Sequence, residues 1–513
     1  MYEIILTTIN ARFSHSALGI RYLRANLLEL RDKCLIQEFT LEDRPIDIVE
    51  KLIQYNPKII GFSIYIWNSL QILKIIKLIR AISPKTIIIV GGPEVSFETD
   101  QNQICKFVDY TITGYAEFNF YNLCKDLFNH KIPKEKIIQG DILNGENLAK
   151  IIFPINEYSD FDLKNRHIYF EASRGCPFKC EFCLSSLDAT SVQFPPAKIF
   201  EYLNNLWQRG LRRFKFVDRT FNIKPKNAGQ LLDFFIEKLP EKFFLHIEMV
   251  PDILPNNIRK RLKKFPAGSL QLEIGIQSIN PNTQELISRK QDNEKVIENL
   301  QFLQKNTNAH LHTDLIVGLP NEDIENFAQS FNFLFSLGVN EIQIGILKKL
   351  PGAPIARHIN SQQMVFNCEP PYEILSNKNI SFIQMQKLKR FSRYWDLIGN
   401  SGKFTNSLSW LIAKDPFNLF LEISEKIYQL SNQTYKIRLE RLFELFFFAG
   451  KQMIDNHQKF ADLLLSDYQK TGSQGKLNFL RQNKIFQVKR NRQNPIPKRQ
   501  IQHLRKQELS KYF

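Results

Sequence analysis

The 513-residue chain has no run approaching the 18 or more apolar residues that a membrane span requires. Ile59-Ile60-Gly61-Phe62-Ser63-Ile64 and Thr86-Ile87-Ile88-Ile89-Val90 are short enough to be buried strands, so no membrane span is expected. A basic leader with a cleavage site is also missing, because Met1 to Thr8 enters a strand pattern directly; no signal peptide is expected. Of seven cysteines, Cys34, Cys105, Cys124 and Cys368 are widely scattered. That distribution argues against a disulfide framework or a second cluster and fits a reducing cytoplasm. Acidic residues are outnumbered, 52 to 69, for a net charge of +17. Ten Lys or Arg and one acid, Glu508, fall between Arg481 and Phe513. That tail carries no recognisable nucleic-acid motif, so it reads first as a solvated terminal segment and second as a grip for RNA or an acidic partner. An apolar content of 43% supports two or three globular domains.

The other three cysteines lie within eight residues, in Ser173-Arg174-Gly175-Cys176-Pro177-Phe178-Lys179-Cys180-Glu181-Phe182-Cys183. Three soft thiolates spaced C-x3-C-x2-C suit a cubane iron-sulfur cluster and leave one iron without a protein ligand. A structural zinc would need a fourth ligand, for which His167 and Asp188 are the nearest candidates. The segment Arg166 to Ser173 alternates as a strand and runs into the Gly175 turn, so the cysteines follow a strand's C-terminal end, where α/β barrels keep their active sites.

With Phe182 just before the third cysteine, the loop resembles that of the radical S-adenosylmethionine (SAM) superfamily. The resemblance implies a [4Fe-4S] cluster on Cys176, Cys180 and Cys183, whose fourth iron chelates the amino and carboxylate groups of SAM. One electron, from a donor such as flavodoxin or ferredoxin, then yields a 5′-deoxyadenosyl radical, while the protein binds, orients and excludes water. Strands are expected at Phe214 to Asp218, Phe244 to Met249, Leu270 to Ile276, His312 to Val317 and Glu341 to Leu347, which with the cysteine strand makes a six-stranded partial barrel. Leu272-Glu273-Ile274-Gly275-Ile276-Gln277-Ser278 is similar to the family's fourth-strand SAM segment, and Gly318-Leu319-Pro320-Asn321-Glu322 to the turn behind the adenine. Leu350-Pro351-Gly352-Ala353-Pro354 is similar to the turn closing the sixth strand. The SAM-binding set expected from this resemblance is Phe182, Asp218, Glu273, Gln277, Ser278, Gly318 and Pro320; Asp218 and Glu248 also read as loop charges or caps.

The first 125 or so residues alternate strand and helix, which argues for a doubly wound parallel sheet binding its ligand beyond the strands' carboxyl ends. That region resembles the cobalamin-binding domain preceding the barrel in one large radical SAM subfamily. The matching residues are Ser63 after the third strand, Gly91 and Gly92 after the fourth, and Gly114 with Glu117 after the fifth. The usual D-x-H-x-x-G loop is altered to Phe13-Ser14-His15-Ser16-Ala17-Leu18-Gly19, so cobalamin is expected without a protein histidine ligand, or else lost from a retained fold.

The expected fold class is α/β: a cobalamin-binding-like domain over 1–140, a linker over 141–165, a (β/α)6 partial barrel over 166–362, a mainly helical domain over 363–480 and the basic tail 481–513. The C-terminal aromatics, among them Phe391, Tyr394 and Trp395, read either as a cover for the barrel mouth or as helical packing. The function expected is a cytoplasmic cobalamin-dependent radical SAM methyltransferase acting on an unactivated carbon. A radical cyclase, rearrangement or RNA-modifying enzyme is the alternative within the class, and a corrinoid- or SAM-binding sensor without turnover the alternative outside it.

Overall fold

The computed structural model describes residues 2–188, 190–239, 241–473, 475 and 477; the reading of the basic tail over 481–513 lies outside them. The chain divides into two compact units. One comprises Met1–Phe221, Lys348–Arg357 and Asn367–Glu373; the other comprises Asn222–Leu347, His358–Phe366 and the described residues from Ile374 onward. No helix among the described residues is long and apolar enough to cross a membrane.

The first unit opens with β1 (Ile4–Asn10), α1 (Leu18–Ala25), β2 (Cys34–Thr40), α2 (Pro45–Ile53), β3 (Ile59–Ser63), α3 (Ser69–Ile82), β4 (Ile87–Gly91), β5 (Tyr110–Ile112), α4 (Glu117–Phe128) and β6 (Ile137–Ile138). These six strands pair in the order β2-β1-β3-β4-β5-β6, and every pairing is parallel. Alternation along the strands explains why helices cover both faces. Ile5, Ile60, Phe62, Ile88 and Val90 pack with Leu52 of α2 and with Ile72 and Ile76 of α3. Their neighbours Ile4, Leu6, Ile59 and Ile89 pack with Ile20 of α1 and with Phe120 and Leu123 of α4. Successive strand residues point to opposite faces, so a run such as Ile87-Ile88-Ile89-Val90 serves both cores at once. The pattern predicts five strands; β6 is a sixth, two residues long, inside a stretch that reads as polar connection. Between β4 and β5, where the strand-helix alternation calls for a helix, the chain makes two short 3-10 turns, Thr99–Gln101 and Ile104–Lys106.

Further along the same unit, β7 (Ile168–Phe170) carries the chain toward the cysteines, β8 (Ser173–Arg174) pairs antiparallel with β9 (Val192–Gln193), and β10 (Arg213–Phe216) lies parallel to β7. The second unit supplies β11 (Phe244–Met249), β12 (Leu270–Gln277), β13 (His310–Val317) and β14 (Glu341–Ile346), parallel in sequence order. Six parallel strands thus stand where the sequence places them, β7 and β10 in the first unit and β11 to β14 in the second. Along β12 the even-numbered Leu270, Leu272, Ile274 and Ile276 are buried while Gln271, Glu273, Gly275 and Gln277 are less so, the alternation of a strand with one apolar and one polar face.

Apart from a short antiparallel pair, Val365–Phe366 with Ile374–Ser376, the rest of the second unit is mainly helical among the described residues. Helix Phe382–Leu397 starts at a capping box made by Ser381 and Gln384. Its Phe391 and Trp395 pack edge-on against Phe331 and Phe420, and Arg390 makes two bonds of 2.6 and 2.7 Å to Glu425. Phe391, Tyr394 and Trp395 are at most 4% exposed, so of their two readings the structure favours core packing.

Candidate cofactor sites

The cysteine loop leaves and returns through the β8–β9 ribbon, and its geometry depends on one glycine. Gly175 has φ +84°, and a Cβ there would stand 2.3 Å from the Thr190 carbonyl oxygen, which only glycine avoids. Beyond the turn, Cys176 N donates to Asp188 O at 3.2 Å and Cys183 N to Cys180 O at 3.1 Å. All three cysteines are free thiols. Burial raises the Cys176 thiol, and Cys183 and Cys180 are close enough to raise it further, so the loop gathers its thiols without joining them. Among the described residues no three His, Cys, Asp or Glu are placed to hold a single metal ion. Asp188 is instead occupied with Thr190 Oγ1, 2.6 Å, and Tyr115 Oη, 3.4 Å, and His167 sits beside His15, so neither joins the cysteines in a closed zinc site. Three thiols on one short loop, none of them in a disulfide, fit a cluster with one open iron.

Asp218, just past β10, is 3% exposed and accepts bonds from Ala172 N at 2.9 Å and Ser173 Oγ at 2.5 Å. It therefore pins the strand that delivers the cysteines. Burial pushes its carboxyl up to about 7, against the pull of those hydrogen bonds. Glu181, between the second and third cysteines, is 2% exposed; its carboxylate pairs with Arg357 and its carbonyl accepts from Ile355 N at 2.9 Å. The segment after the Leu350–Pro354 turn thus braces the loop. Phe182 beside it is half-buried.

A cavity of about 300 Å³ opens along the carboxyl-terminal parts of β1, β3, β4 and β5, between the sheet and α1 and α4. Ser63, Gly91, Gly92, Gly114 and Glu117 all line it, as do Glu171 and Arg174 from the approach to the cysteines. At Gly92 the space a side chain would fill is already taken by backbone: φ is +112°, and a Cβ would lie 2.5 Å from Ile64 O. His15 does not line this cavity. Its Nδ1 bonds Tyr169 Oη and its ring stacks on Tyr169, so it is committed to β7. The cavity's walls are mostly apolar; Tyr22 and Arg174 line it, but Tyr22 Oη and Arg174 Nη1, which lack a hydrogen-bond partner, are themselves fully buried. A cleft of this size between sheet and helices, with glycine backbone at Gly91, Gly92 and Gly114 along its rim, fits the nucleotide tail of a cobalamin.

Arg174 joins the cleft to the cysteine loop. It is 6% exposed, bonds Glu117 at 2.6 Å and Glu171 at 2.7 Å, and lies over the rings of Tyr22, Tyr115 and Phe194. Burial opposes its charge, but the two carboxylates outweigh that and hold it protonated.

In the second unit, a Glu273 carboxylate oxygen lies 2.8 Å from His246 Nε2, and Gln277 ends β12 at φ +70° with Oε1 unpartnered. Ser278 is wholly buried, and its hydroxyl donates to Glu322 at 2.5 Å, tying the end of β12 to the Gly318-Leu319-Pro320 turn after β13. Gly318 O in that turn accepts weakly from Asn377 Nδ2 at 3.4 Å. Complete burial pushes Glu322 up to about 8. Because this pKa lies above the unfolded value, the folded state holds the extra proton, and its stabilising effect is lost as pH rises from about 5 through 8. The unfolding free energy of the full chain, measured in urea, is expected to fall across that window, by up to about 1.4 kcal/mol per pH unit from this group. Glu322→Gln is expected to flatten the slope; an unchanged slope in the variant rules the assignment out.

Residues 4–123 match the family model described as B12 binding domain, residues 170–334 the Radical SAM superfamily, and residues 361–512 a protein of unknown function, DUF4080. An uncharacterized methyltransferase of Pyrococcus horikoshii, PH0819, is 24% identical over 360 residues, covering 65% of this chain and 76% of that protein. The cobalamin-dependent radical SAM methyltransferase TokK of Streptomyces tokunonensis is 24% identical over 328 residues, or 58% of this chain; the matched part is 48% of TokK, about half its length. The solved structure of the cobalamin-dependent SAM radical enzyme OxsB, with aqua-cobalamin and SAM bound, superposes with TM-score 0.62 over 92% of this chain and 81% of that one, at 12% identity. At that identity the likeness is one of fold.

Proposed function

The chain is a radical SAM enzyme carrying an N-terminal B12-binding domain, and from that premise we propose that it is a methyltransferase acting on an unactivated carbon of its substrate. The observation that carries the proposal is the continuity of the first unit, in which the cleft for a nucleotide tail and the three-cysteine loop share Arg174 and the Tyr115–Asp188 contact. Two of the relatives above are named as methyltransferases, which supports the same reading. When bound, the cluster supplies an electron for splitting SAM, and cobalamin supplies a carrier for a methyl group.

The chain's own part is to hold and orient. Cys176, Cys180 and Cys183 ligate the cluster, Gly175 makes their turn, and Asp218 and Arg357 fix the loop on either side. Ser63, Gly91, Gly92, Gly114 and Glu117 line the cleft and would hold cobalamin; His15 is not among the residues that line it. Phe182, Asp218, Glu273, Gln277, Ser278, Gly318 and Pro320 remain the proposed SAM set. Asp218 and Ser278 act within it by positioning, since their side chains are spent on Ala172, Ser173 and Glu322. An electron donor of the flavodoxin or ferredoxin kind and a cytoplasmic setting belong to the same proposal.

Anaerobic turnover of cluster-reconstituted protein with SAM and a reductant tests it. Formation of both 5′-deoxyadenosine and S-adenosylhomocysteine, the latter dependent on added cobalamin, is the expected result. Deoxyadenosine alone, indifferent to cobalamin, overturns methyl transfer in favour of other radical chemistry. No deoxyadenosine from an assembled cluster overturns the enzyme reading in favour of a sensor.

A further inference from the structure

Between Cys176 and Cys183 the loop carries two charged residues, and the structure treats them differently. Lys179 is exposed, whereas the Glu181 side chain is only 2% exposed. Glu181 sits in a turn that Cys183 N closes by donating to Cys180 O at 3.1 Å, so its charge lies between two of the three thiols. Its carboxylate pairs with Arg357, 176 residues along the chain, whose own side chain is 62% exposed. A cation thus reaches in from the surface to a carboxylate that water does not reach.

Docking the loop does not by itself call for that pair. Ile355 N already donates to Glu181 O at 2.9 Å, and Gly175, the β8–β9 pairing and Asp218 hold the rest of the turn. Burying an ion pair also gains little stability over an apolar pair of the same shape. What the pair does supply is a fixed charge balance beside the thiols. The potential of an iron-sulfur centre follows its net charge and surroundings, and each electron taken up there adds negative charge next to Glu181. An unpaired carboxylate buried at that point opposes the electron, and Arg357 cancels it.

We propose that Arg357 is a positioning residue that, by neutralising Glu181, sets how readily the cluster accepts its electron. Resting on the radical SAM reading above, this assigns to the segment after the Leu350–Pro354 turn an electrostatic role beyond bracing. One electron leaves a donor of the flavodoxin or ferredoxin kind and one enters the cluster, with Arg357 and Glu181 unchanged by the transfer.

An anaerobic redox titration of the full-length, cluster-reconstituted protein tests it, followed by absorbance and by the paramagnetic signal of the reduced cluster. Arg357→Met is expected to make reduction about tenfold less favourable, a midpoint lower by about 59 mV for one electron. Glu181→Gln removes the anion and leaves the cation, and is expected to move the midpoint up. The double variant returns close to wild type, and Arg357→Lys, which keeps the charge, stays close to it. A merely loosened loop would shift both single variants in the same direction, so opposite signs separate charge from structure. Equal midpoints of Arg357→Met and wild type, or shifts of one sign in both single variants, overturn the proposal. If Arg357→Met fails to retain iron, Glu181→Gln decides alone, and a midpoint at or below wild type overturns the proposal. Wild-type protein that assembles no iron-sulfur chromophore overturns the cluster reading itself.

Discussion

Replacing any one of Cys176, Cys180 or Cys183 with alanine is expected to lower 5′-deoxyadenosine formation by at least about a thousandfold, because a cluster held by two thiolates is not retained through turnover. Serine is expected to do little better, since a hard hydroxyl is a poor ligand for iron that prefers soft thiolate. The loop itself should survive, as it is held by Gly175, the β8–β9 pairing, Asp218 and Glu181 and not by the thiols. Cys368 is exposed, and Cys368→Ala is the matched control that should retain full activity. The decisive readings are iron content and product by chromatography. Wild-type deoxyadenosine from a Cys183→Ala protein would remove the cluster from the account.

Arg174→Met is expected to destabilise the first unit by about 3–5 kcal/mol, since it leaves Glu117 and Glu171 buried around an apolar side chain. The same change should lower cobalamin retention and cluster occupancy together, because the residue lies on both sites. Adding Glu117→Gln removes one of the stranded charges and is expected to restore part of the stability, giving a coupling energy of the kind seen for residues in direct contact. Urea unfolding of the three variants measures it. Additive losses would show that the 2.6 Å pair is not coupled.

The cysteine loop and the strand-helix alternation are legible in the sequence because they are local. A thiol spacing or a two-residue alternation needs no partner from elsewhere in the chain. What is not legible depends on distant contacts. Arg174 stands in plain view before Gly175 and Cys176, but the partner that makes it a buried bridge, Glu117, is 57 residues away. Ser278 reads as a residue for SAM; its hydroxyl is bonded to Glu322, 44 residues on, and only the fold brings the two together. Gly91 and Gly92 read as room for a ligand; Gly92 does line the cavity, but a second reason for its glycine, the Ile64 carbonyl oxygen 2.5 Å from where a Cβ would stand, shows only in the fold. Strand β6 escapes notice for a different reason: two isoleucines in a polar stretch carry no period, and only pairing with β5 makes them a strand.

The central claim is that one chain holds both a three-cysteine cluster and a cobalamin. An anaerobic absorption spectrum of the full-length protein, taken after cluster reconstitution, incubation with hydroxocobalamin and desalting, tests it most directly, because the two chromophores absorb distinctively. The account predicts iron-sulfur and corrin bands in the same fraction, with the iron-sulfur band lost in Cys183→Ala. Iron-sulfur absorption with no retained corrin would contradict it and leave the N-terminal sheet as a fold without its cofactor.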